Sequence, residues 1–308
     1  MYSVNGLGVR WAALLVAIVP MAGCSFDRSG ASPGGGDDAS TSWDAPPSPD
    51  ARVTRGAHVL LSEVKTGPDP LEFIEIYNPT CVDVDLSDYY LSDDPAYSLL
   101  PSWGDPTPNL GDGDAVVRFP AGSILPAQAV AVIARSGSTY KTEFGAPPDY
   151  ALVAPGGALR MEFIARGNTE DMRLTASGEP VALFEWDGAR DLVRDVDVVT
   201  AGEAPTAGHQ LVPKQVLSPD GVDGPDPDST NTEYREDTAT MPLMIERDAS
   251  TGSYARIVFE DAFEIAEGGN GIVGHDETSE DIRTTWDQDP GSLPTPGQVA
   301  ESLGVTCE

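Results

Sequence analysis

In 308 residues the chain carries 50 Asp and Glu against 18 Lys and Arg, a formal net charge of −32 at pH 7. This balance argues against nucleic acid as a partner, because neutralising phosphates takes a cationic face and the cations here are scattered in ones and twos. An acidic excess of this kind gives solubility and repulsion at an exposed surface or, where carboxylates cluster, a divalent-cation site.

Residues 1–23 hold one cation, Arg10, and no acid, with an apolar stretch from Trp11 to Pro20 leading into Met21-Ala22-Gly23-Cys24. The stretch is shorter than the about 20 apolar residues that span a bilayer, and small residues precede the break, so 1–23 reads as a signal peptide. Met21 to Cys24 resembles a lipoprotein signal-peptide box, with Met where Leu is usual. The resemblance implies lipidation of Cys24 as the mature N-terminus, hence a membrane contact through the lipid anchor. Ser25 stands where Asp is the usual inner-membrane retention signal of Gram-negative lipoproteins, which favours an outer-membrane, extracytoplasmic address. Ordinary secretion with an unlipidated Cys24 is the alternative. Residues 24–56 are Ser, Gly, Pro and Asp with little to bury, a disordered tether that reaches about 30 Å as a flexible coil.

From His58 onward, short apolar runs are punctuated by Gly, Pro and Asp. Strands are expected over Val59 to Val64, Glu72 to Tyr77, Ala115 to Phe119, Ala129 to Ala134, Leu159 to Ile164, Val181 to Trp186, Leu192 to Val199 and Ala255 to Phe259. No long helical periodicity appears, so the pattern indicates an all-β sandwich or barrel. Asp187-Gly188 between two runs is a hairpin signal. Ala129 to Ala134 is apolar on both faces, which predicts a central strand, whereas Asp195 and Asp197 alternating with Val196 and Val198 predict a half-exposed one. Tyr97 to Asp114, Ala165 to Gly178 and about 201–242 look like insertions. The last is the longest and most acidic, and a structureless loop of that length is either functional or disordered.

Leu60-Leu61-Ser62-Glu63-Val64, Glu72-Phe73-Ile74-Glu75-Ile76-Tyr77-Asn78-Pro79 and Val84 to Asp93 together resemble the opening of a lamin-tail domain. Phe119-Pro120-Ala121-Gly122 with Leu125-Pro126, then Trp286 and Pro294-Thr295-Pro296-Gly297 as a closing signature, follow in the same order, with Asp88 a departure at a small position. The resemblance implies an immunoglobulin-like β-sandwich with long loop insertions over 57–300, followed by a tail at 301–308. In secreted bacterial proteins this looks like an interaction or adhesion module.

Phe73, Glu75 and Tyr77 share one strand face, with Ile74, Ile76 and Asn78 on the other, so Glu75 lies among apolar residues. A carboxylate there must be hydrogen-bonded, most simply to backbone N–H groups of a neighbouring strand, with Glu63 close by if the two strands pair. Asn78-Pro79 marks a turn. With Cys24 set aside, Cys81 and Cys307 form an even pair for which one disulfide is expected, the alternative being two buried thiols.

His58, His209 and His275 show no metal-ligand spacing, and no nucleophile elbow, His-Glu-x-x-His helix or phosphate loop occurs. The remaining constellation is Asp220, Asp223, Asp226 and Asp228 among Gly and Pro, which is either a Ca²⁺ site off the usual calcium-loop spacing or a solvated acidic loop. The expected function is a non-catalytic, lipid-anchored envelope lipoprotein with no cofactor, contacting an envelope protein or glycan. A Ca²⁺-dependent adhesin or carbohydrate-binding module is the alternative, and a hydrolase ranks behind both.

Overall fold

The structure is a computed structural model that describes residues 56–104, 107–168, 171–175, 178–202, 212–238, 251–259, 269–272, 276–289 and 291–307. The signal segment 1–23, Cys24 and the tether expected over 24–56, Gly56 excepted, lie outside the described residues, as do His209 and His275.

Two sheets stack as a sandwich. The first contains β1 (Leu60–Lys65), β2 (Phe73–Tyr77), β7 (Val130–Ser136), β8 (Tyr150–Val153), β9 (Leu159–Arg160) and β13 (Tyr254–Ala255), in the order β13-β1-β2-β7-β8-β9. The second contains β4 (Tyr89–Ser92), β5 (Ala115–Arg118), β10 (Glu162–Arg166), β11 (Glu179–Glu185) and β12 (Arg194–Ala201), in the order β10-β5-β4-β11-β12. A small ribbon pairs β3 (Val84–Asp85) with β6 (Ile124–Leu125).

Leu61, Ile74, Ile76 and Ile133 of the first sheet and Leu91, Val117, Leu183 and Val196 of the second belong to one buried cluster, none more than 4% exposed. Each such side chain contributes about 1.5–3 kcal/mol by leaving water. As its two apolar faces predict, β7 is central, antiparallel to β2 and parallel to β8. The parallel pair needs a crossover, supplied by α1 (Gly137–Phe144), an element the sequence reading did not anticipate. Ser136 caps it by accepting from Thr139 N–H, and Gly145 ends it in the left-handed conformation at φ 83°. Tyr140 and Phe144 of α1 then meet Phe73 edge to face. β11 and β12 form the expected hairpin around Asp187-Gly188.

The outward side of the second sheet is covered as well. Tyr90, Val116, Phe184 and Val198 pack against Tyr97 and Leu100 of a 3₁₀ segment (Pro95–Ser102) and against Val222 and Tyr234. The described part of the long insertion contains α2 (Lys214–Leu217) and an antiparallel bridge between Val222 and Thr232. This cover overturns one expectation. Asp195 and Asp197 of β12 are 1% and 0% exposed rather than solvated: Asp195 faces Lys214, which the cover brings in, and Asp197 faces Arg256, the residue after β13.

Candidate functional site

Glu63 and Glu75 are register partners on β1 and β2, buried to 1% and 0% exposure. Glu75 Oε1 accepts from the Ser62 hydroxyl at 2.7 Å and Oε2 from the Gly297 N–H at 2.6 Å. Glu63 accepts from the Ser253 hydroxyl and from the N–H of Thr295 at 3.0 Å. The backbone donors therefore come from the closing segment Thr295-Pro296-Gly297, more than two hundred residues away in sequence, rather than from an adjacent strand as expected. Burial pushes the Glu75 carboxyl up to about 8, against the two hydrogen bonds that favour its ionised form, and the Glu63 charge adds to the rise. Burial likewise raises Glu63.

Asn78, fully buried, shares its amide N–H groups among the carbonyls of Val82, Leu125 and Pro126 at 2.8–3.1 Å, while its Oδ1 accepts from Thr80 N–H. One side chain thus ties the turn after β2 to the end of β6. Tyr77 donates its hydroxyl to the Leu303 carbonyl, and Leu303 is buried with Leu60, Tyr77 and Phe259. Cys81 and Cys307 are disulfide-bonded with Cα atoms 5.4 Å apart, so the stretch read as a tail is fastened to the loop after β2.

The four loop aspartates are not gathered into one site. Asp220, Asp223 and Asp228 are exposed, and Asp226 and Asp228 accept from the N–H groups of Asp228 and Thr230 in local turns. Carboxylate oxygens of Asp223, Asp226 and Asp191 do lie within 4.8 Å of one another. Asp191, which the sequence reading left out, is also engaged by the Gly224 N–H and the Thr232 hydroxyl.

Among the buried cations, Arg256 and Lys214 are held by carboxylates whose pairing the sequence does not show. Arg256 is fully buried, pairs with Asp197 at 2.8 Å and with Glu280, and lies 4.9 Å from the Trp286 ring centroid. Burial raises Glu280 against the pull of Arg256. Lys214 sits between Asp195 and Asp237. The available signal was a lone cation inside an apolar run, Val212-Pro213-Lys214-Gln215-Val216-Leu217, in a chain poor in cations. An open cleft of about 530 Å³ beside β10 is lined by Asn109, Arg160, Phe163 and Arg166, and among the described residues its lining holds no carboxylate, histidine or thiol.

Sandwich, turn-locking asparagine and carboxylate-held closing segment together define an immunoglobulin-like β-sandwich module. Residues 52–200, which contain β1 to β11 entire, match the family described as Lamin Tail Domain. Among solved structures the chain is similar to a DUF4876 family protein from Bacteroides thetaiotaomicron VPI-5482, at 14% identity and a TM-score of 0.41, covering 81% of this chain and 75% of that one. No curated protein matches it.

Proposed function

We propose that this protein is a non-catalytic lipoprotein of the cell envelope, anchored through lipid on Cys24, that displays its lamin-tail sandwich on a flexible stalk as a binding or structural module. The observation that carries the reading is the use made of Glu63 and Glu75. These carboxylates, within the segment that resembles the family's opening, are spent on hydroxyl and backbone donors of the protein itself. The anchor rests on Met21 to Cys24 and the outer-membrane address on Ser25. Two or more acyl chains hold a protein stably on a bilayer. Cys24→Ser should therefore move the protein from the membrane fraction to the soluble one, and unchanged fractionation together with an unlipidated N-terminus would refute the anchor. Pull-down from solubilised envelope, with glycan fractions as a parallel arm, tests the binding role.

The proximity of Asp191, Asp223 and Asp226 favours the alternative of a Ca²⁺-dependent adhesin or carbohydrate-binding module. A cation that binds only the folded form raises the melting temperature. Under that reading Ca²⁺ stabilises the lipid-free protein relative to chelator, and the double change Asp223→Asn, Asp226→Asn abolishes the difference. Identical melting throughout returns the loop to a solvated acidic excursion.

A further inference from the structure

Asp195, Lys214 and Asp237 come from β12, from α2 and from the chain beyond the Val222–Thr232 bridge, and their side chains are 1%, 2% and 3% exposed. Nζ of Lys214 lies 2.5 Å from Asp195 Oδ2 and 3.1 Å from Asp237 Oδ2. Tyr97 and Tyr234 flank it, their ring centroids 5.6 and 6.0 Å away, and Tyr97 donates its hydroxyl to Asp195 Oδ1 at 2.7 Å. Asp237 is held in turn by the Lys214 N–H at 2.9 Å and by the Asn270 amide. Every partner is thus fixed by its own contacts, and one ammonium faces two carboxylates where water does not reach. Burying charge in this way is costly, and joining the amine to one carboxylate as an amide would remove two charges at once.

We propose that Lys214 and Asp195 condense to an intramolecular isopeptide bond that staples the long insertion to β12. The ammonium first passes a proton to Asp237, which touches the same nitrogen and acts as general base. The freed Nζ lone pair attacks Cγ of Asp195, and the Tyr97 hydroxyl stabilises the charge that develops on Oδ1. The Cγ–Oδ2 bond then breaks, and Oδ2 leaves as water with the two protons given up by nitrogen. One ammonium and one carboxylate become one amide and one water, with no oxidant, reductant or co-reactant. Holding the reacting groups about 3–3.5 Å apart in a fixed pose is what lets such a condensation run without external activation. Burial lowers Lys214, the charges of Asp195 and Asp237 more than offset it, and burial raises the Asp195 carboxyl toward its neutral form.

Tryptic mapping of the reduced, alkylated full-length protein tests this. Because no Lys or Arg lies between Asp195 and Lys214, the expected result is one peptide running from Asp195 to Arg235, uncleaved after Lys214, lighter by one water than its linear sequence and closed by a bond between those two side chains in its fragmentation. Lys214→Arg and Asp195→Ala should restore linear peptides, and Asp237→Asn, which keeps the shape, should leave much of the protein unlinked. Wild-type protein cleaved after Lys214 into the linear peptides 195–214 and 215–235 overturns the proposal however the variants fold. Complete linkage in Asp237→Asn overturns the role given to Asp237.

Discussion

Glu63 and Glu75 face each other across β1 and β2, and each receives a backbone N–H from the same three-residue stretch, Thr295 to Gly297. Like charges side by side in a dry site repel, so the Glu63 charge adds to burial in raising the Glu75 carboxyl. The closing segment is the element whose docking depends on them.

Stability should therefore change with pH through Glu75. Its folded value near 8 lies above the ordinary 4.5, so between those limits the native state binds a proton that the unfolded chain has released. The contribution is fully present below about 4.5 and is lost as pH rises toward about 8. Urea unfolding across that range should show Glu75→Gln with a flatter pH profile than wild type. Glu75→Ala, which also strands the Ser62 and Gly297 donors, should lose about 1–3 kcal/mol. Parallel profiles for wild type and Glu75→Gln would contradict the assignment.

Arg256 should tolerate no neutral replacement. Arg256→Met leaves Asp197 and Glu280 buried without their cation, and breaking a buried pair from one side costs about 3–5 kcal/mol. Chemical denaturation reads this directly, and a loss below about 1 kcal/mol would mean that water reaches the site.

Asn78 should be replaceable by neither Ala nor Asp. Both remove the amide donors from the carbonyls of Val82, Leu125 and Pro126, at about 1–3 kcal/mol, while Asp alone keeps the acceptor for Thr80. Similar losses of melting temperature for the two variants are expected. Rescue by Asp would show that the Thr80 contact carries the effect.

The Cys81–Cys307 bridge spans 226 residues, for which the chain-entropy estimate is about 5 kcal/mol as an upper figure. Reduction should clearly lower the melting temperature, and peptide mapping under non-reducing conditions should recover the two cysteines joined. Free thiols in protein from its native compartment would refute the bridge.

The strand framework was legible because apolar alternation and turn residues are local. Ala129 to Ala134 announces a central strand by itself, and Phe73 to Asn78 announces a buried carboxylate among apolar neighbours. What the pattern could not carry is the identity of distant partners. Asp195 and Asp197 read as solvated because their cations, Lys214 and Arg256, stand 19 and 59 residues away. Leu159 to Ile164 read as one strand and is two, since the chain leaves the first sheet at Arg160 and joins the second at Glu162. Gly137 to Phe144 has no apolar stripe, and its helix is fixed by the Ser136 cap and by Tyr140 and Phe144 against Phe73.

The position of β1 has a mechanical consequence. Described backbone enters at Gly56 and runs directly into β1, which is hydrogen-bonded to β13 on one edge and β2 on the other. A pull delivered from the N-terminal side therefore loads two ladders lengthwise, and their bonds must yield together in shear rather than unzip one at a time. The far end of the chain cannot be peeled away first, because Cys307 is bonded covalently to Cys81, just beyond β2. Tension on the N-terminal side thus meets the fold where it is braced on both edges.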